Sequence, residues 1–305
     1  MMDVSYPPVA ATGKFRRDCV ERHLIIFGLG YSGTAIARAA VAAGMRTTIV
    51  SRRLDATPPP GAEVAHFDSP PIATATHLVV TAAPDAAGDP VLVRHGAAIA
   101  AAAGLRWMGY LSTTGVYGDR GGAWVDETTP AEPESERGRR RVAAEQAWCA
   151  AGVGRAVDLF RLAGIYGPGR CVFDELRAGR ARRVAKPGHA FGRIHRDDIA
   201  GAVLAAVRQD PAPGVRVFNL ADDEPAESAE VIAEAGRLLG LPPLPLIPFE
   251  TALESMSQMA RSFWADNRKV ASRMTQQILG RSWLYPSYRE GLRAILAEER
   301  QEGAL

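Results

Sequence analysis

Apolar and polar positions alternate along this chain in short blocks, and each block predicts one element. An apolar run over 23–27 is broken by glycines over 28–33, and the alanine-rich stretch 34–44, ended by Gly44, predicts a helix. Apolar and β-branched runs over 46–50, 63–66 and 77–81 predict three more strands. A helix is expected over 90–103, a strand over 105–111, a helix over 139–151 and a strand over 156–162. Strands alternating with helices at this spacing imply βαβ crossovers and a parallel sheet. The expected fold class is α/β: a doubly wound parallel sheet with a smaller C-terminal lobe.

Beyond Gly164 the blocks shorten, with helices expected over 197–208, 228–239 and 287–299 and a strand over 216–220. The proline-rich stretch 241–248 could be a polyproline ligand for another protein, but a rigid connector is the favoured reading, because folded sequence continues on both sides. The chain then divides into 22–165, receiving 193–220, and a second unit of 166–192 with 221–305. Residues 1–21 mix Tyr6-Pro7-Pro8 with Lys14, Arg16 and Arg17, lack the apolar core of a signal peptide, and are expected to be a disordered extension.

Composition changes this picture little. The chain has 305 residues, 47% hydrophobic and 23% charged, an ordinary globular balance. A net charge of +2 gives no basic field for nucleic acid, and no apolar run is long enough to span a bilayer. Cys19, Cys149 and Cys171 lack metal-like spacing, so reduced thiols in a cytoplasmic protein and no metal site are expected.

The chemistry starts at Gly28-Leu29-Gly30-Tyr31-Ser32-Gly33, between a strand and a helix. Gly28 permits the tight turn, Gly30 lets the backbone approach a pyrophosphate, and Gly33 lets the helix pack close to the sheet. Free N–H groups at the helix start, around Tyr31 and Ser32, face the phosphate charge. An acidic residue at the end of the second strand would bind a ribose 2′-hydroxyl. The chain instead has Ser51-Arg52-Arg53, whose hydroxyl and guanidiniums suit a 2′-phosphate. NADP is therefore preferred over NAD; a solvated pair of surface arginines is the alternative.

Further landmarks follow in order: Asp68, Thr81-Ala82-Ala83-Pro84, the segment from Leu111 through Thr113 and Tyr117 to Gly118, Arg161 to Gly169, Ile194 to Asp198, and Val217-Phe218-Asn219-Leu220. Their order and spacing resemble the extended short-chain dehydrogenase/reductases of the NAD-dependent epimerase/dehydratase type, over nearly all of the folded chain. The resemblance implies that Thr113 binds the reacting oxygen of a substrate. It further implies that Asp68, Ala82, Ala83 and Pro84 border the cofactor, that Ile165 and Tyr166 pass near the nicotinamide, and that His195 and Asp198 join the lobes.

One part of the pattern is missing. Aligned through Ala143-Ala144-Glu145-Gln146, the family's Tyr-x-x-x-Lys pair falls on Arg137 and Arg141. A phenol can exchange a proton near neutral pH, whereas a guanidinium, with a pKa above about 12, stays charged. Arg141 could still hold the nicotinamide ribose, and Arg137 could clamp an anionic substrate; a solvated helix face is the alternative. Tyr117, Tyr166, Asp119, Asp126, Glu127 or water would supply the proton. The pattern resembles the atypical, YeeZ-like subgroup of the family. Two functions remain open: an NADP-dependent oxidoreductase or epimerase for a small polar or sugar-like carbonyl or alcohol, and a non-catalytic NADP-binding sensor or scaffold. The family resemblance also implies a homodimer through two helices of the sheet layer, one carrying 139–151.

Overall fold

The computed structural model describes residues 22–53 and 57–303. The extension expected over 1–21, with Cys19, lies outside the described residues. Seven parallel strands form the central sheet: β1 (His23–Phe27), β2 (Arg46–Ser51), β3 (Glu63–His66), β4 (His77–Val80), β5 (Trp107–Thr113), β6 (Ala156–Leu162) and β7 (Gly214–Leu220). Their order across the sheet is β7-β6-β5-β4-β1-β2-β3. The chain builds outward from β1 to β3, then returns to β4 on the other side of β1. This reversal opens a crevice at the carboxyl ends of β1 and β4, where such sheets bind ligands.

Burial explains why β1 reads as a continuous apolar run. Leu24 and Ile26 enter the core on one face, and Ile25 and Phe27 the core on the other. The first face is covered by α1 (Tyr31–Ala42) and α4 (Arg196–Arg208), the second by α2 (Pro90–Ala101) and α3 (Glu136–Ala151). A separate core gathers Phe173, Ile232, Tyr288 and Ile295 in a smaller C-terminal lobe. This lobe includes α5 (Ser228–Leu238) and α6 (Tyr288–Glu302).

Among the boundaries that differ from expectation, three have a local reason. α1 starts at Tyr31, not 34, because the turn is complete at Gly30, which is extended at φ −104° and caps the helix. α3 starts at Glu136, not 139, because the Ser135 side chain accepts from the Gly138 N–H. β5 runs two residues further, ending at Thr113, where the threonine hydroxyl caps the short turn that follows. The proline-rich stretch places Leu246–Pro248 beside Arg183–Ala185 as a two-stranded pair. Among the described residues no helix is long and apolar enough to cross a membrane.

Candidate active site

The glycine turn has two kinds of glycine. Gly28 sits at φ +119°, and a Cβ there would lie 2.3 Å from the Thr81 hydroxyl. A Cβ on Gly33 would lie 2.0 Å from the Gly28 carbonyl oxygen, so α1 reaches the end of β1 only because Gly33 has no side chain. Gly30 meets nothing within 4 Å. The missing side chain there leaves open space beside a helix N-terminus that no side chain caps and whose first turn carries no acid. Ser32 is buried in that turn, and the Tyr31 hydroxyl donates to the Pro168 carbonyl at 3.0 Å. Open space, free N–H groups and a positive helix end fit a dinucleotide pyrophosphate.

At the end of β2, Ser51 accepts from the Arg53 backbone N–H at 3.0 Å. The Arg52 and Arg53 side chains are exposed and make no hydrogen bond or ion pair among the described residues. Asp68, just past β3, is exposed and pairs with Arg94 at 3.3 Å.

The carboxyl ends of β4 and β5 meet the start of α3. Ala83, Pro84, Glu136, Arg137, Arg140 and Arg141 line one cavity of about 270 Å³; Ala82 packs beneath it against the core. Arg141 donates to the Leu111 carbonyl at 2.8 Å and the Tyr110 hydroxyl at 2.9 Å, so its charge is held by neutral acceptors. Arg140 pairs with Glu136, whereas exposed Arg137 has no partner among the described residues. The Thr113 hydroxyl oxygen accepts the Gly115 N–H at 3.1 Å, which leaves its own hydrogen to donate elsewhere. Beneath this rim Ser112 donates to Glu145 at 2.6 Å, and Glu145 pairs with buried Arg161 at 2.8 Å, fixing β5, β6 and α3 together.

The other candidate proton donors lie elsewhere. Tyr117 has no exposed surface and donates to the Asn219 side chain at 2.7 Å; burial raises its phenol. Tyr166 is buried in the C-terminal lobe core, its ring edge-on to His195 at 5.2 Å and its phenol likewise raised by burial. Ile165 is half-buried against the sheet core. Asp119 accepts the Asn267 N–H at 2.7 Å, and that bond lowers its carboxyl. Asp126 is lowered first by the Thr128 hydroxyl, and Glu127 accepts from Thr275 at 2.5 Å.

At the junction of the lobes, the buried His195 ring lies 4.2 Å from that of Tyr285. Burial drives its pKa down to about 4, which keeps it neutral. Asp198 accepts the backbone N–H groups of Leu284 and Tyr285 at 2.6 and 3.0 Å. A residue not anticipated from the sequence also reaches the site. Arg268, 15% exposed, donates through Nη1 to the Gly118 carbonyl at 2.8 Å and pairs with Asp266 at 2.9 Å. Nothing in the local sequence Asp266-Asn267-Arg268-Lys269 signals this; only the fold brings it to the segment after β5. Among the described residues no group of three or more His, Cys, Asp or Glu could hold a metal ion.

No family model matches the chain. A structure of a functionally unknown conserved protein from Silicibacter pomeroyi DSS is 46% identical, with a TM-score of 0.85 over 91% of this chain and 99% of that one. The human epimerase family protein SDR39U1 with NADPH is 20% identical, with a TM-score of 0.70 over 90% and 98%. MoeE5 in complex with UDP-glucuronic acid and NAD is 18% identical, with a TM-score of 0.73 over 92% and 99%. The fold is therefore that of the extended short-chain dehydrogenase/reductases of the NAD-dependent epimerase/dehydratase type.

Within that class, Protein YeeZ of Escherichia coli (strain K12) is 37% identical over 139 residues, 44% of this chain and 46% of YeeZ. The matched stretch spans about half the length of that curated relative. The chain belongs to one family with the Silicibacter pomeroyi protein, and over the matched stretch it is similar to YeeZ.

Proposed function

We propose that the chain is an NADP-dependent oxidoreductase or epimerase acting on a small polar, anionic carbonyl or alcohol. The observation that carries this reading is the cavity shared by Ala83, Pro84, Arg137 and Arg141 at the carboxyl ends of β4 and β5, with Thr113 closing β5. Gly30 and the start of α1 would hold the pyrophosphate, and Arg52 and Arg53 the 2′-phosphate; NAD is the alternative. The nicotinamide, when bound, supplies hydride transfer. Arg141, already oriented by Leu111 and Tyr110, would donate to the ribose. Thr113 would donate its hydroxyl hydrogen to the reacting oxygen, and unpaired Arg137 would neutralise charge on the substrate. With Tyr117 and Tyr166 sealed by packing, solvent water is the proton source in this reading.

NADPH oxidation across a panel of anionic and neutral aldehydes, ketones and keto sugars tests it. Turnover with at least one anionic carbonyl is expected, at least tenfold slower in Thr113→Ala; oxidation of none overturns it. A second reading, a non-catalytic NADP sensor or scaffold, is favoured by the arginine at 137 and by the two buried phenols. It predicts NADPH binding without turnover. The first reading also has the protein cytoplasmic, with Cys149 and Cys171 reduced, and paired as a homodimer through α3 and a neighbouring helix.

A further inference from the structure

Gly115 lies two residues past the end of β5, beside an arginine from the second half of the chain. A Cβ built on it would lie 3.4 Å from the Thr113 hydroxyl oxygen and 3.8 Å from Nη2 of Arg268. Those two groups thus flank one point, although 155 residues separate them in the chain. The Nη1 of Arg268 is bound to Gly118 and Asp266; its Nη2 makes no hydrogen bond among the described residues.

The segment carrying Arg268 is stitched to the loop after β5 by backbone bonds. The N–H groups of Arg120 and Gly122 both donate to the Asn267 carbonyl, at 3.0 and 2.9 Å. The Asn267 N–H donates to Asp119, and Lys269–Val270 pairs in parallel with Trp124–Val125. The guanidinium is therefore fixed before any ligand arrives, which removes the entropy cost of ordering a long side chain. Charge favours an anion there. Asp266 compensates Arg268 and Glu136 compensates Arg140, whereas Arg137 and Arg141 have no acidic partner, so the rim retains two positive charges.

We infer that Arg268 is a specificity-determining residue, its free Nη2 binding an anionic group, a carboxylate or a phosphate, that the substrate carries beside the carbon whose oxygen Thr113 holds. This rests on the proposed function but not on the identity of the cofactor. Gly115 keeps the corner between the two groups open. An alanine there meets only ordinary contact distances, so Gly115→Ala narrows the corner without displacing backbone.

The test uses two matched pairs of probes, pyruvate with pyruvamide and dihydroxyacetone phosphate with dihydroxyacetone. Each is titrated calorimetrically into the full chain, with and without NADPH. The wild type is expected to bind the charged member of one pair at least tenfold more tightly than the neutral member. The pair that discriminates identifies the anion as carboxylate or phosphate. Arg268→Gln should bring that ratio close to one, Arg268→Lys should restore part of it, and Gly115→Ala should weaken the charged member at least fivefold while melting at the wild-type temperature. A wild-type ratio near one, or one that neither Arg268→Gln nor Gly115→Ala alters, overturns the inference. NADPH fluorescence in the same samples is read separately: its failure to respond in the wild type overturns the cofactor reading while the probe ratios still decide the role of Arg268.

Discussion

The glycine turn and the arginine run at the start of α3 border the same crevice, yet they are built on opposite principles. The turn works by leaving atoms out. Gly28 lacks a side chain where Thr81 stands and Gly33 where α1 meets the Gly28 carbonyl, whereas the absent side chain of Gly30 opens space for a ligand. The arginine run works by putting charge in, with Arg137 unpaired and Arg141 bound only to neutral oxygens. The first region keeps the pattern shared by dinucleotide-binding folds. In the proposed reading the second stands where the family's proton relay would be, so a cofactor site there would not by itself imply the usual chemistry.

The largest effect separating glycines of the fold from glycines of the site is expected from Gly33→Ala. Its Cβ would overlap the Gly28 carbonyl, so urea denaturation should show a loss of about 2–4 kcal/mol, with nucleotide binding abolished. Gly30→Ala should do the reverse. Its backbone, at φ −104°, suits alanine, so stability should fall by less than about 1 kcal/mol while NADPH affinity drops about a hundredfold. If Gly30→Ala leaves affinity intact, the open space beside α1 is not where the pyrophosphate lies.

On the charged side, Arg52→Asp should move the ratio of NADPH to NADH affinity by about tenfold to a hundredfold, because a repulsion replaces a charge-assisted hydrogen bond to the 2′-phosphate. Arg137→Ala should raise KM for an anionic substrate about tenfold with a smaller change in kcat, since it removes charge from the rim and not the hydroxyl at the reacting oxygen. An equal fall in kcat and kcat/KM would move Arg137 from binding into the chemical step.

The smallest effect per site concerns the frame both regions share. Burial lowers His77, at the start of β4, and His189 and His195, in the second half of the chain, to about 4. Their folded pKa values lie below the ordinary 6.5, so their contribution is complete above that value and is lost as pH falls towards 4. Between pH 7 and 5 each should remove about 1–2 kcal/mol of stability. His77→Asn should flatten part of that slope in urea titrations; an unchanged slope would show that His77 takes up its proton as readily in the folded chain as in the unfolded one.

What the sequence made legible was local. The alternation of runs in 23–162 marked the strands and helices that form the sheet, because a parallel strand buried on both faces must be apolar throughout. The glycine spacing could be read for the same reason: the close contacts of Gly28 and Gly33 belong to the turn itself and its neighbouring strand. The ends of α1 and α3 were displaced because a glycine and a serine cap set them, not the apolar period. The burial of Tyr117 and Tyr166 depends on residues more than a hundred positions away, Asn219 and Ser287. Arg268 is a stronger case, for its place beside Thr113 rests on backbone pairing between 118–125 and 266–271, which no periodicity records.

The most direct test of the central claim is a fluorescence titration of the full chain with NADPH and with NADH, repeated on Gly30→Ala and Arg52→Asp. The wild type should bind NADPH at least tenfold more tightly than NADH, Gly30→Ala should lose both, and Arg52→Asp should lose the preference alone. Equal affinity for both nucleotides in the wild type and in Arg52→Asp, or binding that Gly30→Ala leaves untouched, would contradict that claim.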